Sequence, residues 1–174
     1  MKTDKNLYYK NKYRIPSARL KGWDYSSWGW YFITICTKDR SHKFGEIIEG
    51  EMYYTELGHF AASSWLAMHR IFDVLIPDVW VIMPNHIHLL FGLSPKNTEY
   101  HENKFDGLIK NSAASIINHF KGRVTKYAKK ESVEFQWQER FYDHIVRNQK
   151  DFDTIQNYII SNPQNWNKDK FFTE

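Results

Sequence analysis

The segment Val81–Leu90 reads VIMPNHIHLL and places two histidines one residue apart in an otherwise apolar run. Successive side chains of a β-strand point to opposite faces, so His86 and His88 would share one face and Ile87 would take the other. Two adjacent imidazoles on one face can bind a single metal ion. The alternative is a pair of hydrogen-bonded polar side chains on a half-exposed face, and the segment alone does not separate the two.

The runs on either side of this segment predict the rest of the fold. β-Branched and aromatic residues at 31–37 indicate a central strand, and apolar residues with helical spacing indicate helices. The predicted elements are a strand at 31–37, a hairpin at 44–54, a helix at 56–71, strands at 79–83 and 86–92, and then a helix at 108–130, a strand at 135–146 and a helix at 151–161. This order predicts an α/β fold with a ferredoxin-like or RRM-like antiparallel sheet and helices packed on one face.

The composition is that of a folded protein of one domain. The chain has 174 residues, of which 42% are hydrophobic and 17% aromatic, enough to build a core. Cys36 is the single cysteine, which excludes an internal disulfide. Since no apolar run is long enough to span a bilayer and the N-terminus lacks an apolar signal segment, we expect a cytoplasmic protein that does not enter the membrane.

Basic charge is concentrated at the N-terminus. Residues 1–21 carry seven basic side chains and one acid, whereas the net charge of the whole chain is only +4. The sequence therefore predicts a basic arm at 1–21 and a single domain at 22–174. Basic arms often bind phosphate backbones, and Arg14, Arg19 and Lys21 are the candidates here. The alternative is a solvated tail.

The predicted helix at 108–130 combines an apolar stripe with a basic remainder. No acidic residue occurs from 111 to 130, so its positive charge is not balanced locally. Lys110, Lys121 and Arg123 are therefore candidates for DNA contact, with a solvated helix face as the alternative.

The last predicted helix contains the segment 157–163, NYIISNP. Its buried stripe is predicted to consist of Phe152, Ile155 and Ile159, which leaves Tyr158 on the flank. Asn162 follows four residues later and shares a face with Tyr158. A helix that offers a hydroxyl and an amide oxygen on one side is suited to lie over the two histidines.

These motifs together resemble one protein family. The segments VIMPNHIHLL and YIISNP, with RLKGWDYS at 19–26, YFITICT at 31–37 and FYDHIVR at 141–147, are similar to those of single-tyrosine (HUH, insertion-sequence type) transposases. The resemblance is to the branch of REP-associated tyrosine transposases and covers roughly residues 14–166.

The resemblance implies a reaction and a set of site residues. Tyr158 would form a covalent 5′-phosphotyrosine link to single-stranded, hairpin or palindromic DNA and free a 3′-hydroxyl. His86, His88 and Asn162 would hold a divalent cation, Mg²⁺ or Mn²⁺. Members of the family act as monomers or as homodimers that exchange a helix. Tyr142 is the second candidate nucleophile. His144 and Arg147 are auxiliary candidates that would line the site or contact DNA, with hydrogen bonding in the core as the alternative.

Two other functions compete with this enzyme. The first is a single-stranded nucleic-acid-binding module without catalysis, built on an RRM-like sheet. The second is a regulatory protein with a structural zinc, for which two nitrogen ligands are few. A histidine pair accompanied by a tyrosine favours the enzyme, because a protein that only binds has no need of all three.

Overall fold

The computed structural model describes residues 28–95 and 110–173, together with the backbone of two short strands in the N-terminal segment. Those strands, β1 (Tyr8–Tyr9) and β2 (Lys12–Tyr13), pair antiparallel with each other. Three predicted DNA contacts, Arg14, Arg19 and Lys21, lie outside the described residues, as do residues 108 and 109 of the predicted helix. The arm at 1–21 and the domain at 22–174 stay predictions.

The remaining elements follow the predicted order. They are β3 (Gly29–Cys36), β4 (Gly45–Ile48), β5 (Glu51–Tyr54), α1 (Glu56–Leu66), α2 (Met68–Ile71), β6 (Leu75–Ile82), β7 (His86–Leu93), α3 (Ala113–Lys130), β8 (Tyr142–Val146) and α4 (Gln149–Ser161), with 3₁₀ turns at Lys38–Arg40 and Pro163–Lys168. Strands β4 and β5 form the predicted hairpin.

The main sheet has four strands in the order β6-β7-β3-β8, and every neighbouring pair is antiparallel. The first and third strands along the chain, β3 and β7, occupy the centre, and β6 and β8 form the edges. This is the ferredoxin-like arrangement of two split β-α-β units. The predicted fold class is confirmed.

The two faces of the sheet are covered differently. Helices α1 and α3 pack on the face that carries Ile87, Leu89 and Phe91 and form the larger core with them. The opposite face carries Leu90 and Phe32, which pack against Ile155 and Ile159 of α4. Alternation along β7 therefore places His86 and His88 on the α4 side, away from the main core.

The helix predicted at 56–71 begins where expected, whereas the helix predicted at 108–130 begins at Ala113. The Thr55 side chain caps α1 by accepting a hydrogen bond from the Gly58 amide, as its residue type predicts. The predicted helix at 56–71 is divided at Ala67 into α1 and α2. None of the helices in the described part of the chain is long and apolar enough to cross a membrane.

One strand prediction was wrong in detail. The strand predicted from residue 135 starts at Tyr142, because the preceding chain only touches the sheet through an isolated bridge between Trp137 and Thr37. The strands predicted at 79–83 and 86–92 correspond to β6 and β7, and the register of β6 shifts between Pro77 and Trp80. A proline is tolerated there because β6 is an edge strand.

Candidate active site

The histidine pair is fully buried at the start of β7. His86 and His88 have no exposed surface, and their Nε2 atoms lie 3.0 Å apart. Burial lowers the pKa of His88 to about 3, and burial followed by the neighbouring His88 holds the pKa of His86 well below its usual value. Both rings are therefore neutral at physiological pH, which is the protonation state that a metal ligand requires.

Buried polar partners orient both rings through their Nδ1 atoms. The Asn85 side-chain oxygen lies 2.9 Å from His86 Nδ1. Since the Asn85 amide nitrogen donates to the carbonyls of Arg40 and Phe171, its oxygen accepts and His86 carries its proton on Nδ1. The Thr34 hydroxyl lies 2.8 Å from His88 Nδ1. Partners of this kind direct the Nε2 lone pairs towards a common point.

Tyr158 of α4 reaches the same point. Its phenolic oxygen lies 3.1 Å from His88 Nε2 and donates to Asp169 Oδ2 at 2.9 Å. Its ring meets those of Phe32 and His88 edge to face. Burial and the Asp169 carboxylate raise the pKa of Tyr158 above its ordinary value. The structure thus brings together all three residues that the sequence analysis named as catalytic.

Asp169 is a component of this site that the sequence analysis missed. Its carboxylate accepts hydrogen bonds from Tyr158, from Asn162 Nδ2 at 2.8 Å and from the Phe171 amide. The sequence signal is weak, because an aspartate seven residues beyond Asn162 follows the last predicted helix and lies in a polar tail. Only the fold of the 3₁₀ turn at Pro163–Lys168 returns it to the sheet.

The available donors fit a divalent cation. One ligand atom each from His86, His88 and Asp169 lies within 4.8 Å of the others. Asn162, the predicted third ligand, is buried beside them, and its Oδ1 finds no hydrogen-bond partner among the described residues. Two nitrogens with a carboxylate or amide oxygen form a mixed donor set that several divalent metals accept. Asn162 stays a predicted metal ligand, and Asp169 is a further candidate ligand.

The predicted DNA contacts on α3 lie in three different environments. Lys110 is exposed just before the helix. Lys121 is partly buried and donates to the Gln138 carbonyl at 3.0 Å, and burial lowers its pKa. Arg123 Nε donates to Ser64 Oγ of α1 at 2.9 Å, so this side chain joins two helices on the face opposite the histidines.

The auxiliary candidates occupy β8 and the turn that follows it. Tyr142 is 49% exposed, and its ring contacts Phe32 edge to face. His144 Nε2 lies 2.8 Å from the Asp151 carboxylate, and the Arg147 amide donates to the same carboxylate oxygen. These contacts join β8 to the start of α4. Tyr158, and not Tyr142, contacts the histidine pair.

Comparison with known proteins gives consistent matches. The model of a family described as IS200-like transposase matches residues 27–162. An uncharacterized protein of Haemophilus influenzae is 34% identical over 171 residues, which cover 91% of this chain and 93% of that protein. A second protein of that organism, named as a candidate REP-associated tyrosine transposase, is 28% identical and matches 80% of this chain and 73% of its own length.

A solved structure shares the fold. A REP-associated tyrosine transposase bound to a REP hairpin superposes with a TM-score of 0.56 at 20% identity, over 78% of this chain and 66% of that one. The fold and the site define an enzyme that nicks DNA and transfers strands. The chain belongs to the IS200-like transposase family.

Proposed function

We propose that this protein is a metal-dependent endonuclease and strand transferase for single-stranded DNA that acts through a covalent 5′-phosphotyrosine intermediate. The observation that carries the proposal is the distance of 3.1 Å between the Tyr158 hydroxyl and His88 Nε2, next to a carboxylate and a second imidazole. A nucleophile adjacent to metal-ligating groups is what phosphodiester cleavage by covalent catalysis requires.

The chemistry assigned to Tyr158 is an attack on the scissile phosphorus. Its phenolic oxygen forms the new bond to phosphorus while the bond from phosphorus to the 3′ oxygen breaks. The phenolic proton passes to Asp169, which already accepts the hydrogen bond at 2.9 Å. The departing 3′ oxygen takes up a proton from water and becomes a 3′-hydroxyl. The phosphotyrosine bond conserves the energy needed to join the DNA to another 3′-hydroxyl.

His86, His88 and Asp169 would hold the cation, with Asn162 adjacent to them. When bound, a divalent cation supplies Lewis-acid polarisation of the scissile phosphate. We propose Mg²⁺ or Mn²⁺, on the resemblance to the family. Asn85 and Thr34 orient the two imidazoles towards it.

Tyr158 and the histidine pair meet within one chain, without a second copy. We therefore propose cleavage in cis, with the tyrosine and the histidines of one chain acting together. A monomer can perform this reaction, and a homodimer is not required. The solved relative that binds a REP hairpin supports hairpin or palindromic DNA as the substrate. The cytoplasm stays the predicted compartment.

An adduct assay tests the proposed function. The protein is incubated with end-labelled hairpin DNA carrying a single-stranded extension, in Mg²⁺ or Mn²⁺, and resolved on a denaturing gel. A covalent protein–DNA band is expected that Tyr158→Phe and chelation each abolish, while Tyr142→Phe retains it. An adduct that persists in Tyr158→Phe would refute the nucleophile. DNA binding without any adduct would favour the non-catalytic binding module.

A further inference from the structure

Arg40 packs on the ring of Phe171, which also contacts His86, and carries an unused hydrogen-bond donor. Its guanidinium carbon is 4.2 Å from the centre of the Phe171 ring, and that ring is 4.5 Å from the ring of His86. Arg40 Nη1 is buried and has no hydrogen-bond partner among residues 28–95 and 110–173. A buried cationic donor without an acceptor is costly, so the arrangement favours an acceptor that arrives with a ligand.

A second cation shares the same ring. Lys170 Nζ is 4.8 Å from the centre of the Phe171 ring and 5.4 Å from that of Tyr142, and its side chain is exposed. The pKa of His86 is lowered mainly by burial and by the neighbouring His88. The positive charges of Arg40 and Lys170 lower it further. The neighbouring Asp169 carboxylate is already engaged by Tyr158, Asn162 and the Phe171 amide.

The turn that carries Arg40 is hydrogen-bonded to the residue that orients His86. Asp39 and Arg40 both have φ of 56°, in the left-handed region that costs a non-glycine residue about 1 kcal/mol or more. The Arg40 carbonyl accepts from the amide of Asn85 at 3.2 Å, and the oxygen of that same amide orients His86. A single side chain therefore fixes both the arginine turn and the first predicted metal ligand.

We propose that Arg40 and Lys170 form a clamp for a backbone phosphate of the DNA strand at the active site. The inference rests on the proposed function and adds to it the two residues that hold the strand. The planar guanidinium fork matches phosphate oxygens. Since Arg40 as a whole is only partly buried, a turn of its side chain brings Nη1 to the phosphate as its acceptor, and the lysine adds a point charge from the solvent side. Because a phosphate recurs at every nucleotide, the clamp is independent of base sequence.

The salt dependence of DNA binding tests the clamp. A fluorescein-labelled single strand of mixed sequence is titrated with Tyr158→Phe protein in EDTA, so neither cleavage nor metal contributes, and anisotropy gives the affinity at several salt concentrations. Loss of one phosphate contact should flatten the slope of log K against log [salt] by roughly 0.7. We expect this flattening for Arg40→Ala and for Lys170→Ala, whereas Arg40→Lys should keep the slope.

Arg70→Ala is the matched control, because Arg70 is an exposed arginine on α2, which packs with the α1 side of the sheet. Thermal melting identifies any variant that does not fold. Because Lys170 is exposed, Lys170→Ala tests the clamp even if Arg40→Ala does not fold. The clamp would be overturned if the folded Arg40 and Lys170 variants kept the wild-type slope, or if Arg70→Ala flattened the slope equally. Neither result would affect the adduct assay of the proposed function. If the wild-type protein formed no covalent adduct with DNA, the proposed function itself would be overturned.

Discussion

The phenolic oxygen of Tyr158 lies 3.1 Å from Nε2 of His88, although seventy residues separate them in the chain. The contact depends on the packing of other side chains of α4. Ile155 and Ile159 hold α4 against Leu90 and Phe32 on the face of the sheet that carries the histidines. The position of one helix on one face of the sheet thus determines the geometry of the candidate active site.

Thr34→Val should weaken metal binding without unfolding the protein. For His88 Nε2 to bind a cation its proton must lie on Nδ1, and the Thr34 hydroxyl, 2.8 Å away, is the acceptor that holds it there. Loss of such an orienting partner typically lowers metal affinity about 10- to 100-fold. Calorimetric titration with Mn²⁺ measures it. Thr125→Val, on an exposed part of α3, should bind as the wild type does, and equal affinity for both variants would contradict the role of Thr34.

Most of the fold could be predicted because it depends on local patterns. Alternation at 86–92 predicted which residues of β7 share a face, and the register confirms it, since Thr34 lies directly opposite His88. The wrong start of the strand predicted at 135–146 has a physical cause. The chain before Tyr142 is rich in strand-forming residues, but only Trp137 pairs with the sheet, through Thr37, and no local pattern shows which residues find a partner strand.

The candidate site was predictable where a motif carries it and not elsewhere. His86, His88 and Tyr158 lie in recognisable segments, and the structure brings them together. Asp169 has no such signal, because its place depends on a turn after Pro163 that reverses the chain. Asn85 lay inside the quoted motif, but its two roles, towards His86 and towards the Arg40 turn, required coordinates.

Asp169→Asn should slow adduct formation more than it weakens DNA binding. The amide keeps the size of the carboxylate but cannot take the Tyr158 proton that the hydrogen bond at 2.9 Å presents. Loss of a general base typically costs about 100- to 10,000-fold in rate. Single-turnover adduct formation at saturating Mn²⁺ measures the rate and separates the lost base from weakened metal binding.

Asp73→Asn, an exposed aspartate in the turn before β6, is the control for that experiment. It should form adduct at the wild-type rate. A rate for Asp169→Asn that is within a few-fold of wild type would show that the Tyr158 proton leaves by another route.

The hydrogen bond between His144 and Asp151 should make stability depend on pH in the acidic range. The hydrogen bond from His144 lowers the pKa of Asp151 below its ordinary value, so this contribution is present above the pKa of the unfolded chain and is lost as pH falls through the folded pKa. The pair is partly exposed, and Asp151→Asn should cost about 0.2–1 kcal/mol at pH 7. Denaturant unfolding at a series of pH values should show the difference closing below about pH 4, whereas a constant difference would assign the effect to the capped helix end instead.

Neighbouring isoleucines on α4 separate the packing of the helix from its surface. Ile159 is completely buried against Leu90 and Phe32, whereas Ile160 is 62% exposed. Ile159→Ala should lower the free energy of unfolding by about 2–5 kcal/mol, and Ile160→Ala by no more than about 0.5 kcal/mol. Adduct formation at a temperature where both variants are folded adds the functional measurement. If α4 positions Tyr158 through this packing, Ile159→Ala slows the reaction and Ile160→Ala does not; equal rates would mean that the hydrogen bonds to His88 and Asp169 hold the tyrosine without the helix packing.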